Sequence, residues 1–236
     1  MPELFEWGLI YLILIIGACL QGLIGFGLGL FSAPILLLIA PQLVPVPMLL
    51  NALVITAILL YSHRKHVDRH LAPITIMGGS VGVLLAAAVV SAVNLAQYQI
   101  LFGISIVTAV VLSVIGLRPK VSGFNSAIAG MLSGFMGTLT SAGGAPMGLL
   151  YQSAEQHKIK ANLSMFFTYI NALGIISLSV ADVVQTQDLW LFLCSLPAVM
   201  AGWLLSRYLR ERYRLNFIRP LILFVALCSG LACILI

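Results

Sequence analysis

The sequence predicts an all-α integral membrane protein made of two inverted-topology repeats, residues 1–120 and 121–236, which together form one transmembrane domain. Each repeat is expected to be a glycine-rich, broken (re-entrant) helix hairpin followed by three transmembrane helices. Three observations lead there: an apolar composition, basic residues confined to polar breaks, and an internal duplication. Of 236 residues, 61% are hydrophobic and 8% charged, against about 25% charged in an ordinary soluble domain. That balance excludes a soluble globular protein. A membrane β-barrel would show alternating segments of about ten residues, and none occur.

Polar breaks near 41–47, 63–70, 94–97, 118–123, 153–160, 182–188 and 207–214 divide the chain into eight apolar stretches. Six of them, about 45–62, 71–93, 98–117, 162–182, 188–206 and 216–236, suit single crossings of about 20 helical residues. The other two, about 4–40 and 123–153, are too long for one straight crossing and marginal for two. Each has a glycine-rich middle, so each is expected to enter and leave by the same face as two half-helices meeting at the glycines. All 12 Lys and Arg then lie on one side. That side is cytoplasmic by the positive-inside rule, with both termini outside. If each long stretch crossed once, basic residues would fall on both sides and the rule would fail.

The basic surplus orients the chain in the bilayer and does not indicate nucleic acid. The start, MPELFEW, has Glu3 and Glu6 and no basic residue, so the first apolar run is expected to stay rather than be cleaved as a signal peptide. Cys19, Cys194, Cys228 and Cys233 all fall in apolar runs without metal-ligand spacing, which suits packed, reduced thiols. His63, His66 and His70 in HRKHVDRH could share one face of a short helix. Their neighbours are Arg, Lys and Asp, so the loop reads as a positive-inside anchor rather than a metal site, and His157 beside Lys158 and Lys160 reads as surface.

The two halves match in order. GLIGFGLGLFSAP, from Gly22 to Pro34, aligns with GFMGTLTSAGGAP, from Gly134 to Pro146, at an offset of 112 residues. Gly25 then pairs with Gly137, and Ala33-Pro34 with Ala145-Pro146. Further along, Asn51-Ala52-Leu53 pairs with Asn171-Ala172-Leu173, Pro73 and Gly78 with Pro197 and Gly202, and Tyr98 and Phe102 with Tyr213 and Phe217. Repeats of opposite orientation with broken segments at matching positions are the layout of secondary transporters, whose freed backbone groups bind substrate near the midplane.

Glycine permits positive φ and close backbone approach, and proline is tolerated where a helix begins. A half-helix is therefore expected near Pro34 and near Pro146, with free N–H groups and a positive dipole end suited to an anion. The competing reading of the same glycines is close helix packing. The candidate substrate-binding residues are Gln21, Gly25, Gly27 and Ser32 in the first hairpin and Gly137, Thr138, Thr140, Ser141, Gly143 and Gly144 in the second. Asn51 and Asn171 join them, because an amide in an apolar run needs a partner; each could instead tie its hairpin to a neighbouring helix. Thr140 and Ser141 stand out, placed between a break at Gly137 and Gly143-Gly144.

No Asp, Glu, Lys or Arg lies clearly mid-span, whereas a proton-coupled pump usually has an intramembrane carboxylate or histidine. An anion leaving a negative interior gains about 2.3 kcal/mol per charge per 100 mV, so export could run without a coupling ion. The expectation fails if efflux collapses when a proton gradient is removed at constant membrane potential.

GLIGFGLGLFSAPILLL and GFMGTLTSAGGAPMGLLYQ, each opening a half of the chain, resemble the duplicated glycine-rich motif of the sulfite exporter TauE/SafE family of bacterial inner-membrane proteins. The resemblance implies permeation, usually outward, of small anionic sulfur compounds or organic acids, such as sulfite, sulfoacetate or related organosulfonates. Carried over by position, the glycine turns and Thr138, Thr140 and Ser141 would line the site. The family often has three adjacent glycines per motif, where this chain has GFGLG and Gly143-Gly144; that departure leaves room for a larger or less highly charged anion than sulfite. Alternatives are a small-carboxylate permease and a passive anion channel, the latter short of polar side chains to line a path. An enzyme is not expected, since no nucleophile with a base and no metal cluster appears. The partners expected are the small anion and the lipid bilayer, with no cofactor, metal or nucleic acid. A homodimer is compatible with the sequence, although apolar surfaces do not reveal it.

Overall fold

The computed structural model describes residues 4–25, 27–67, 72–115, 119–152, 155–212 and 218–235. Within them the regular elements are α1 (Leu4–Ile24), α2 (Ala33–Ile39), α3 (Val46–His63), α4 (Ala72–Ala92), α5 (Leu95–Ile115), α6 (Gly123–Thr140), α7 (Gly144–Tyr151), α8 (Gln156–Val180), α9 (Thr186–Arg212) and α10 (Ile218–Leu235), with short 3-10 and π turns between some of them and no strand. Glu3, Arg69, His70, Arg118, Tyr213, Arg214 and Phe217, on which parts of the charge and repeat arguments rest, lie outside the described residues.

Among the described residues, six helices are long and apolar enough to cross a membrane: Phe5–Ile24, Val46–His66, Ala72–Ala92, Leu95–Ile115, His157–Val180 and Thr186–Leu209. Their outer faces keep large apolar side chains exposed, among them Met77, Leu84, Val114 and Leu189. Water would not tolerate such a perimeter over so much of the surface, and lipid does. The chain is therefore a multi-pass membrane protein.

Local signals place the helix ends. Pro47 stands in the first turn of α3 and Pro34 in that of α2, where a missing N–H has no intrahelical partner to lose. Ser122 caps α6 by accepting the Asn125 N–H at 3.3 Å. The tight α4–α5 turn is held reciprocally, the Asn94 N–H on the Gln97 side chain at 3.1 Å and the Gln97 N–H on Asn94 at 2.9 Å. Aligned Pro73 and Pro197 differ in setting. The first opens α4 and the second lies inside α9, which neighbouring helices permit in a membrane.

Helix partners follow a pattern. α1 runs along α9 and α6 along α4; α3 lies on α8 and α5 on α10; α2 touches α10 and α7 touches α5. Glycine sets the closest of these approaches. A Cβ on Gly78, Gly82 or Gly130 would meet carbonyl oxygens across the α4–α6 seam, and one on Gly202 would meet the Ile15 carbonyl across α1–α9. For Gly22, against Ser206, and for Gly134, against Gly79, close helix packing is the role the structure shows.

Both long apolar stretches are bent chains with unequal arms. Instead of two half-helices, the first is a full 21-residue helix, α1, followed by a short return through Leu28–Ile39. At about 1.5 Å per residue α1 alone is long enough to cross the hydrocarbon layer. The break comes only at Gly25 and Gly27, with φ of 98° and 155°, because the earlier glycines stay helical: Gly17 takes up Ser32 and Gly22 takes up Ser206. In the second stretch α6 continues helically through Gly137 to Thr140, and the turn falls at Ser141, whose φ is 58°. A serine, not a glycine, occupies the left-handed position there.

Candidate functional site

The two turns meet. Gly29, just past the first break, lies against the backbone of Ser141 and Ala142 in the second, so close that a Cβ on Gly29 would overlap the Ser141 carbonyl oxygen. Around this contact is a small, partly open cleft. The first tip lines it with Gln21, Gly27, Leu28, Gly29 and Leu30, and the second with Gly137, Ser141, Ala142, Gly143 and Gly144. Ala52 and Thr56 of α3 and Phe167 and Asn171 of α8 form the walls. No charged side chain is among these lining residues.

Each tip is clamped by a polar side chain from its longer arm. Gln21 accepts the Leu28 N–H at 3.2 Å and donates to the Gly25 carbonyl at 3.3 Å. Ser133 accepts the Met147 N–H at 3.2 Å and donates to the Gly143 carbonyl at 2.6 Å. Both side chains are buried, at 5% and 0% exposure. The clamps answer a general problem, since a broken helix in a membrane must satisfy the backbone groups it frees. Thr140 does similar work, accepting the Ala142 N–H at 3.1 Å and donating to the Met136 carbonyl at 2.7 Å. From outside the hairpin, the Tyr98 hydroxyl donates to the Leu139 carbonyl at 2.8 Å.

The structure sorts the twelve candidate residues. Gln21, Gly27, Gly137, Ser141, Gly143, Gly144 and Asn171 line the cleft. Gly25, Ser32, Asn51, Thr138 and Thr140 are not among the lining residues. Gly25 forms the first turn; Ser32 donates to the Ile13 carbonyl at 3.0 Å, tying the return arm to α1. Asn51 donates to the Pro47 carbonyl at 3.0 Å and to Ser195 of α9 at 2.7 Å, which is the helix-tying role. Thr140 is satisfied by its own turn. Thr138 is fully buried, and its hydroxyl has no hydrogen-bond partner.

The Ser141 hydroxyl is also buried and without a partner, and it belongs to a cleft-lining residue. Asn171, 5% exposed, brings an amide to the same cleft. Gly143 and Gly144 bring the start of α7. Of that helix's first-turn donors, Pro146 has no N–H and the Met147 N–H is used by Ser133. The arrangement offers neutral donors and no fixed charge, which suits a small solute with strong acceptor oxygens.

Sequence reasoning missed Thr56 and Phe167. A signal existed for both: Thr56 follows the cleft residue Ala52 by four, and Phe167 precedes Asn171 by four, the spacing of one helix face. The asparagine alignment hid it, because in α3 the residue after the asparagine faces the cleft whereas in α8 the asparagine itself does. Near the basic loops, the His157 ring lies 6.3 Å from that of His63 and 5.7 Å from that of His66. Among the described residues no His, Cys, Asp and Glu converge as a metal site, and the four cysteines are free.

A helical multi-pass membrane protein whose broken segments meet around an uncharged cleft is the class these features define. Residues 9–233 match the family model described as Sulfite exporter TauE/SafE. The chain belongs to that family of membrane transporters of sulfur anions. Neither the curated proteins nor the solved structures contain a match to it.

Proposed function

We propose that this protein is a secondary transporter of the bacterial inner membrane that exports small sulfur-containing anions, sulfite or organosulfonates such as sulfoacetate, by alternating access. The anion sits between the two hairpin tips. The observation that carries this reading is the cleft itself: the unpartnered Ser141 hydroxyl, the Asn171 amide and the start of α7 face one small space where two broken segments touch. Sulfonate and sulfite oxygens accept hydrogen bonds from hydroxyl, amide and backbone N–H donors, and a helix N-terminus favours negative charge.

The inverted-repeat reading rests on equivalences. Gln21 and Ser133, related by the same 112-residue offset as the glycines, clamp their tips in the same way through different side chains. Partners also exchange between halves, α1 with α9 as α6 with α4. Contact of His63 and His66 with His157 joins the end of α3 to the start of α8 at one face, consistent with a single basic, cytoplasmic side and outer termini. Two repeats meeting at Gly29 and Ser141 could rock against one another about α3 and α8, opening the cleft to each side in turn.

The test is a thermal-shift panel on detergent-purified protein with sulfite, sulfoacetate, taurine, lactate, chloride and sodium at matched ionic strength, followed by flux in proteoliposomes. A ligand at about 100 times its Kd adds roughly 2.7 kcal/mol to folded stability. Selective stabilisation by sulfite or sulfoacetate supports the reading. A shift from lactate alone turns it into carboxylate transport, and a shift from sodium or an uncharged solute alone overturns anion transport.

A further inference from the structure

Beside His157 and Lys158, Lys160 reads from sequence as part of the surface, but it is buried. It lies inside α8 at 8% exposure. Its Nζ donates to the Gly22 carbonyl in the last turn of α1 at 3.4 Å, and its side chain flanks the Gly25 turn. Lysine is almost never buried without a specific reason.

Its position on α8 supplies one. Residues 160, 164, 167 and 171 recur at intervals of four and three, so Lys160, Ser164, Phe167 and Asn171 share one helix face. Phe167 and Asn171 already line the cleft. Lys160 therefore lies on the cleft-facing stripe, about 10 Å nearer the basic end of the helix than Phe167. Ser164, between them, is buried at 2% exposure. On α3 the corresponding stripe beyond Ala52 and Thr56 is Leu49 and then Pro45, with no cation. Of these two stripes, among the described residues, the one on α8 alone carries a cation.

We propose that Lys160 is an anion-binding residue at the cytoplasmic mouth of the cleft, giving the transporter a tighter hold on its substrate from the cytoplasm than from outside. This rests on the reading of the cleft as an anion path. An anionic oxygen is a stronger acceptor for an ammonium than a carbonyl oxygen is. An arriving sulfonate or sulfite is held at the ammonium. It then passes Phe167 to the neutral donors of the cleft, which hold it weakly enough to release.

The experiment uses the full chain in oriented proteoliposomes clamped at zero membrane potential, with labelled sulfoacetate as probe. Wild-type protein is expected to show a lower KM from the cytoplasmic face than from the outer face; equal or reversed values overturn the proposal. Lys160→Gln is expected to raise the cytoplasmic KM about tenfold or more while the outer KM changes less than twofold. The two kcat/KM values then fall together, as detailed balance requires at zero potential. Lys160→Arg is expected to restore the cytoplasmic KM to within about threefold. A residue that only braced α1 would move both KM values alike, or neither. If the neutral variant does not fold, the wild-type asymmetry decides. Wild-type protein that moves neither sulfite nor sulfoacetate defeats the reading of the cleft itself, a separate result from symmetric KM values.

Discussion

Gly29 rests directly on the backbone of Ser141, leaving no room for a Cβ between the two hairpin tips. Gly29→Ala must therefore prise the tips apart. Overpacking of a tight contact destabilises by about 1–3 kcal/mol, a drop of roughly 2–4 °C per kcal/mol for a chain of this size. Thermal unfolding and flux should both fall. A variant with wild-type melting temperature and flux would show that the tips do not need this contact.

Gln21 and Ser133 should prove equally structural, although Gln21 lines the cleft and Ser133 does not. Removing either leaves a buried N–H, of Leu28 or Met147, without its acceptor, at a cost of about 1–3 kcal/mol. Gln21→Leu and Ser133→Ala are expected to lower stability by similar amounts. The check is a pair of denaturation curves. A neutral Ser133→Ala would remove the main support for functional equivalence of the clamps.

Ser141 and Thr140 are neighbours with opposite expected phenotypes. The Thr140 hydroxyl makes two bonds within its turn and the Ser141 hydroxyl makes none. Thr140→Val should lower stability by about 1–2 kcal/mol with the KM of surviving protein little changed. Ser141→Gly should hold stability or raise it, because glycine adopts the left-handed backbone at φ 58° without strain. It should nevertheless weaken anion binding about fivefold or more, as the loss of a hydrogen bond to a charged ligand does. Isothermal titration with sulfoacetate separates the two, and unchanged affinity in Ser141→Gly would take that hydroxyl out of the site.

Tyr98 reaches from α5 to the Leu139 carbonyl, one residue before the end of α6. Tyr98→Phe keeps the buried ring and deletes only this latch. Interhelical hydrogen bonds in membranes average about 0.6 kcal/mol and reach about 1.7, so stability should fall slightly. Turnover should change more than affinity, since in the proposed alternating access the latch holds a tip that has to move. Identical kcat in the variant would make Tyr98 a packing residue only.

The hydrophobic pattern and the basic breaks determined the helical membrane class, and the order of glycines and Ala-Pro pairs located both turns to within a few residues. Those signals are local, written in runs and spacings that hydration and backbone sterics read directly. Pro34 and Pro146 open short helices as their chemistry requires. Tertiary structure alone decided which polar residues face the cleft. Asn51 and Asn171 look alike in sequence, yet one braces α9 and the other lines the site, because rotating a helix by one residue, about 100°, changes its neighbour. Tertiary structure also decided that α1 stays helical past Gly17 and Gly22, whose missing side chains are filled by Ser32 and Ser206. The burial of Lys160 is of the same kind: only the approach of α1 to α8 distinguishes that lysine from its exposed neighbour Lys158.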